Sequence, residues 1–110
     1  MSEHGIPSGR GRRCFIAVEN GEPVGHVCFR LVPDCRIEDL RVSESAPEGT
    51  AERLVRSVMA TAANSGMGEL SIHSADPSGI GNRACRSLGF VSAGCPCCQR
   101  TGLVCLSKRF

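Results

Sequence analysis

The sequence predicts an α/β domain: a mixed, mostly antiparallel twisted sheet with two helices. Three observations carry that expectation. Short apolar runs of strand length, rich in Val, Ile, Phe and Cys, recur near both ends. Between them, Leu54, Val55, Val58, Met59 and Ala62 fall at helical spacing on one face. A strand, that helix and a further strand follow one another in the order that builds a right-handed parallel crossover.

The elements follow in order. Residues 1–13 read as a disordered basic leader, with Arg10, Arg12 and Arg13 set among Gly and Ser. Residues 14–110 read as the folded domain. Cys14-Phe15-Ile16-Ala17-Val18 is a β run, and Asn20-Gly21 is a two-residue hairpin signal. Pro23 to Leu31 returns as a second strand, and Val32-Pro33-Asp34 turns the chain. Cys35 to Val42 is the third strand. Simple alternation puts Ile37, Asp39 and Arg41 on one face and Glu38, Leu40 and Val42 on the other.

The first helix is expected from near Pro47 to Asn64. Ser45 and Glu48 fit a capping box, and Asn64-Ser65-Gly66 fits a helix stop. Glu69 to His73 is a short fourth strand. The second helix is expected to begin between Asp76-Pro77 and Gly81, bury Ala84, Cys85 and Leu88, and stop at Gly89. Phe90 reads as a core residue. Val91 to Phe110 closes as a hairpin whose last strand is Gly102–Leu106.

The junction between the third strand and the first helix carries the functional signal. Ile37-Glu38-Asp39-Leu40-Arg41-Val42 runs into Ser45-Ala46-Pro47-Glu48-Gly49-Thr50-Ala51. A small-residue loop opening a helix aims backbone N–H groups and the positive end of the helix dipole at one spot. Such a spot suits an anion such as a pyrophosphate. The strands on either side of the helix would diverge there, at the carboxyl-end crevice where α/β sheets bind ligands.

Composition narrows the classes. The net charge of +2 gives no nucleic-acid footprint, and no apolar run is long enough to span a membrane. The expected location is cytoplasmic. There are eight cysteines. Without a secretion signal they are expected as reduced thiols, with Cys14, Cys28 and Cys105 acting as small apolar residues in strands. Cys95-Pro96-Cys97-Cys98 is the dense cluster. Its spacing is too compressed for a usual zinc site, so no metal is expected, although Cys14, Cys35 or Cys105 would be available to complete one.

The order of elements resembles the GNAT superfamily of N-acetyltransferases. The resemblance spans roughly Phe15 to Phe110. It is carried by Ile37–Val42, by Gly49-x-Ala51-x-x-Leu54, by Ser87-Leu88-Gly89-Phe90 and by Leu106-Ser107-Lys108-Arg109-Phe110. It implies an acyl-CoA N-acyltransferase fold and acetyl-CoA as cosubstrate, with an amine on a small molecule or peptide as acceptor. It places the pantetheine arm along Leu40, Arg41 and Val42, and the pyrophosphate on the amides of Gly49, Thr50 and Ala51. It makes Glu38 the candidate base for the acceptor amine. The family's proton-donating Tyr falls at Cys85, in a chain with no Tyr, and its helix-starting Asn falls at Ser78 or, with slippage, Asn82. His73, at the end of the fourth strand, is a further candidate base.

The sequence departs from that pattern at several points. Ala46 stands where the family has Arg or Gln, and Pro47 lacks an N–H. Glu48 sets a charge near the anion site, costing about 1 kcal/mol or more at an effective dielectric near 20. Only the polar leader stands where the family carries a first strand and two helices, so the chain reads as a short, N-terminally truncated member. Uncovered sheet surface then predicts a homodimer. Three function classes stay open: an acetyl-CoA-dependent N-acyltransferase, a catalytically degenerate CoA-binding or protein-interaction module, and a metal or redox role for Cys95, Cys97 and Cys98.

Overall fold

In the computed structural model, residues 2–8, 12–74, 79–93 and 102–110 are described. The strands are β1 (Ser2–Ser8), β2 (Arg12–Glu19), β3 (Glu22–Arg30), β4 (Arg36–Val42), β5 (Glu69–Ser74), β6 (Val91–Ser92) and β7 (Val104–Arg109). Helix α1 (Thr50–Asn64) joins β4 to β5, and α2 (Ile80–Ser87) follows β5. One sheet has the order β1-β2-β3-β4-β5-β7-β6. Its neighbours are antiparallel except β4 and β5, which the α1 crossover makes parallel.

Local chemistry sets the first hairpin. Asn20 and Gly21 have φ of 52° and 78°, the left-handed pair that a type I′ turn between twisted strands requires. The leader expectation is corrected for Ser2–Ser8. These residues form β1 and pair with β2 from Ser2↔Val18 to Ser8↔Arg12. The pairing satisfies backbone groups along the outer edge of β2, and backbone pairing needs no apolar signature.

Both helices pack on one face of the sheet and against each other. Leu54, Val55, Val58 and Ala62 of α1 are buried with Ala17, Val27, Phe29, Ile37, Leu70, Ala84, Cys85 and Leu106. Phe15 stacks on Phe29 with ring centroids 5.5 Å apart. Gly25 lets α1 approach closely: a Cβ there would meet Leu54 Cδ1 at 3.4 Å and the Arg41 carbonyl at 3.0 Å.

The expected alternation along β4 is corrected by a bulge. Cys28 pairs with Asp39 but Phe29 pairs with Ile37, so Glu38 is an extra residue. After it the faces exchange. Ile37, Leu40 and Val42 all belong to the helix-covered side. Asp39 lies on the opposite face, where it accepts hydrogen bonds from His26 Nε2 at 2.8 Å and Arg41 Nε at 3.3 Å.

Two further expectations are corrected. Gly49, not Ser45, is the N-cap of α1, and no side chain caps it; Ser45 Oγ instead pairs with Ser43 Oγ at 3.0 Å. Cys14 and Cys28 are not separate reduced thiols. The β2–β3 register sets them directly opposite, and they are joined as a disulfide. β6 pairs with β7 as the C-terminal hairpin expectation has it, but the last strand runs Val104–Arg109, not Gly102–Leu106. Asp76-Pro77, Ser78 and the Cys95-Pro96-Cys97-Cys98 cluster lie outside the described residues.

Leu54 is wholly buried at the centre of the α1 stripe. Leu54→Ala is expected to lower stability by about 2–5 kcal/mol. Urea denaturation should show an earlier midpoint at unchanged slope; an unmoved midpoint would contradict this placement of the core.

Candidate active site

Two neighbouring strands part company here. β4 and β5 pair only at Arg36↔Ser71 and Ile37↔Ile72. Beyond that point β4 continues to Val42 while still paired with β3. Its other edge, residues 38–42, therefore has no strand partner among the described residues. The Glu38 bulge sits where the strands separate. A cleft of about 300 Å³ opens there, lined by Glu38, Asp39 and Leu40 on one wall and Ile72, His73 and Ile80 on the other. A strand edge of this kind offers N–H and C=O groups to an extended, amide-bearing ligand.

Ile80 lines both this cleft and a second cavity at the loop between β4 and α1. Pro47 O accepts from Thr50 N–H at 3.2 Å and from the Thr50 hydroxyl at 2.6 Å. Gly49 has φ 87° and ψ 0°, the third-residue geometry of a type II turn. Thr50 is thus buried and its amide is used inside the loop. The amide of Ala51 and its neighbours at the helix start lack acceptors within the helix, and the space above Gly49 is open. A cavity of about 430 Å³ lies over this turn, reaching from Val42 and Ala46 to Ile80 and Arg83 of α2. Glu44, Glu48 and Glu52 also line it, and Arg83 is the one cation among its lining residues.

The predicted residues divide by location. Leu40, Val42, Gly49, Thr50 and Ala51 line the cleft or the loop cavity. Arg41 turns away, onto the helix-free face. Glu38 is at the cleft, with Arg12 Nε 3.9 Å from its carboxylate. Cys85 is wholly buried in the core, and burial pushes its thiol up to about 12. It lines neither cavity. Asn82 is also buried, with no hydrogen-bond partner for its amide among the described residues.

His73 stands on the β5 wall. Its Nδ1 is 2.9 Å from Arg36 Nη1. Burial, then the Arg36 charge, lowers its pKa, with Arg30 adding to that effect and Asp34 opposing it. Sequence reading found His73 but not Arg36 beside it, and missed Arg83 and Ile80 altogether. Only the docking of α2 against α1 brings those two over the loop.

A larger trough of about 590 Å³ lies on the helix-free face, lined by Cys14, Ile16, His26, Cys28 and Arg41 among others. The strands beneath it are paired with their neighbours, so it offers no free strand edge. We take the smaller cleft as the candidate site for that reason. Among the described residues no group of His, Cys, Asp and Glu could hold a metal ion.

The Cys85 thiol should resist alkylation. With a pKa of about 12 its thiolate is scarce at pH 8, and the thiolate is the nucleophile. Iodoacetamide followed by peptide mass spectrometry should leave Cys85 unmodified in the native protein and modify it in guanidinium. Rapid native modification would contradict its burial.

Comparison with known proteins bears on this geometry. A family model described as the acetyltransferase (GNAT) family matches residues 4–90. No curated protein sequence matches significantly. Among solved structures, a GNAT family acetyltransferase from Elizabethkingia anophelis with acetyl-CoA bound superposes with a TM-score of 0.79 at 13% identity, over 99% of this chain and 97% of that one. An acetyltransferase from Bacillus anthracis in complex with acetyl coenzyme A gives 0.76 at 16% identity, over 92% of this chain and 64% of that one. The PaiA N-acetyltransferase from Thermoplasma acidophilum, in complex with coenzyme A, gives 0.77 at 11% identity, over 91% and 62%. This chain thus spans less than two thirds of the last two. At these identities the likeness is one of fold, and it agrees with a mixed sheet bearing two helices. With a family match over residues 4–90, the chain belongs to the GNAT family of acetyltransferases.

Proposed function

We propose that this chain binds acetyl-CoA in the β4–β5 cleft and passes the acetyl group to an amine. The observation that carries the reading is the parting of β4 from β5 after Ile37 and Ile72, which frees a strand edge that leads to the loop that opens α1. An extended pantetheine arm, with its two amides, suits the free edge at residues 38–42. The amides of Gly49 and Ala51 receive the pyrophosphate. Arg83 supplies the cation that Ala46 does not. Glu38, at the bulge, takes the proton that the amine loses as it adds to the thioester carbonyl. Backbone N–H groups of the free edge polarise that carbonyl. Cys85 serves packing in this reading, not proton donation.

The loop tells against tight binding. Glu44, Glu48 and Glu52 surround the anion position, and each repels a phosphate by on the order of 1 kcal/mol when solvated. That observation favours a second reading, a module that binds CoA weakly and does not turn over. The acceptor is an amine in either the small-molecule or the peptide class. The face without helices, bearing Ile16 and the Cys14–Cys28 pair, supports a homodimer that covers it. Light scattering after gel filtration checks that: a monomer at high micromolar concentration would count against it.

Calorimetry should detect acetyl-CoA binding. Arg83→Gln should weaken acetyl-CoA about tenfold, roughly 1.4 kcal/mol, and leave acetyl-pantetheine unchanged. No binding at millimolar acetyl-CoA would overturn the reading. Equal weakening of both ligands would remove Arg83 from the phosphate site.

A further inference from the structure

The thioester's leaving sulfur needs a partner, and neither Glu38, the loop amides nor Arg83 provides one. The chain contains no Tyr. Cys85 is wholly buried and lines neither cavity. The free β4 edge addresses the carbonyl oxygen, and Glu38 is a proton acceptor. What remains is the opposite wall of the cleft, and the polar side chain that β5 places there is His73.

Its hydrogen bond fixes which nitrogen is available. A guanidinium has donors only. Arg36 Nη1, 2.9 Å away, must therefore donate to His73 Nδ1. An imidazole that accepts at Nδ1 carries its proton on Nε2. The lowered pKa agrees, since burial and Arg36 both disfavour the imidazolium. Ser71 and Ile72 pair with Arg36 and Ile37 just before the strands part. The guanidinium–imidazole contact thus lies at the last point where β4 and β5 are held together, and the strand pairing keeps it in place. A hydrogen-bond donor fixed in this way needs no reorganisation as charge develops.

We infer that His73, with Arg36 donating to its Nδ1, is a catalytic residue whose Nε2–H hydrogen-bonds the departing sulfur. The inference rests on the acyl-transfer reading above. The amine nitrogen forms the new C–N bond. The C–S bond breaks and its electron pair stays on sulfur. The amine's proton passes to the Glu38 carboxylate. His73 keeps its own proton throughout, and the thiolate takes a proton from water after release. A neutral imidazole is far too weak an acid to be asked for more. The charged and titratable groups around the ring are Arg36, Arg30 and Asp34, with Glu38 across the cleft and Cys105 opposite it on β7.

Long-range proton–nitrogen NMR of histidine-labelled protein tests the geometry with no variant needed. At pH 8, where even an ordinary histidine is largely neutral, His73 should show Nδ1 bare and Nε2 protonated. Adding CoA should shift the Nε2 resonance. Kinetics supply the second arm, with acetyl-CoA as donor and hydroxylamine as nucleophile. His73→Leu should lower kcat about 100-fold with little change in KM for acetyl-CoA. His73→Gln, whose amide still donates, should recover most of that loss at equal thermal stability. A protonated Nδ1, an Nε2 unmoved by bound CoA, or full kcat in His73→Leu would each overturn the role of His73 alone. Absence of any acetyl-CoA or CoA binding would overturn the acyl-transfer reading together with it.

Discussion

Among the described residues, the ladder between β4 and β5 has two residue pairs. Arg36 lies beside Ser71 and Ile37 beside Ile72; after that the parallel ladder stops while β4 runs on. A parallel pair of this length would be marginal alone. It persists because β4 is paired along β3 on one side and β5 along β7 on the other. The core ties both halves through Ile37, Ile72 and Leu70 beneath α1 and α2. Everything proposed for this chain depends on that early separation. It leaves a strand edge inside a sheet whose backbone groups have no strand partner among the described residues. In the proposed reading a ligand that supplies amides completes the ladder. The Glu38 bulge lies at the same point: it shifts the β3–β4 register there, and Glu38 lines the cleft with its carboxylate 3.9 Å from Arg12 Nε.

Electrostatics divide the site into two parts. Around the loop cavity three glutamates face one arginine, an arrangement that disfavours an anion there, so the proposed reading assigns much of the affinity to the strand edge. At the parting of the strands the balance is different. Arg36 is shared between Asp34, 3.4 Å from its Nε, and the His73 ring. The contact orients the imidazole and opposes its protonation at once. On the helix-free face, the His26–Asp39–Arg41 group holds Asp39 ionised, chiefly through the His26 hydrogen bond. That group braces β3 against β4 just behind the opening.

Much of the fold was legible because it rests on local chemistry. The Asn20-Gly21 turn, the helical spacing from Leu54 to Ala62 and the Gly89 stop each act within a few residues. The structure carries Gly89 at φ 95°, with Phe90 N–H returning to Cys85 O at 3.0 Å. What stayed hidden depended on partners distant in sequence. β1 forms by backbone pairing, which leaves no side-chain pattern to read. The faces of β4 after Glu38 exchange because one residue is inserted relative to β3, and a period-two reading of a single strand cannot see its neighbour. Thr50 looked like an amide donor, but its N–H and hydroxyl both turn back to Pro47. Arg83 and Arg36 become site residues only through helix docking and strand pairing. Cys85 lies on the inner face of α2, as its helical spacing predicts, and in the proposed reading that burial leaves it a packing role.

Amide hydrogen exchange with and without acetyl-CoA tests the central claim most directly. The account predicts new protection along residues 38–42 and at Gly49 and Ala51, with the β2–β3 hairpin unchanged. Protection confined to the helix-free trough around Cys14, Ile16 and His26, with none at the parted strands, would contradict it.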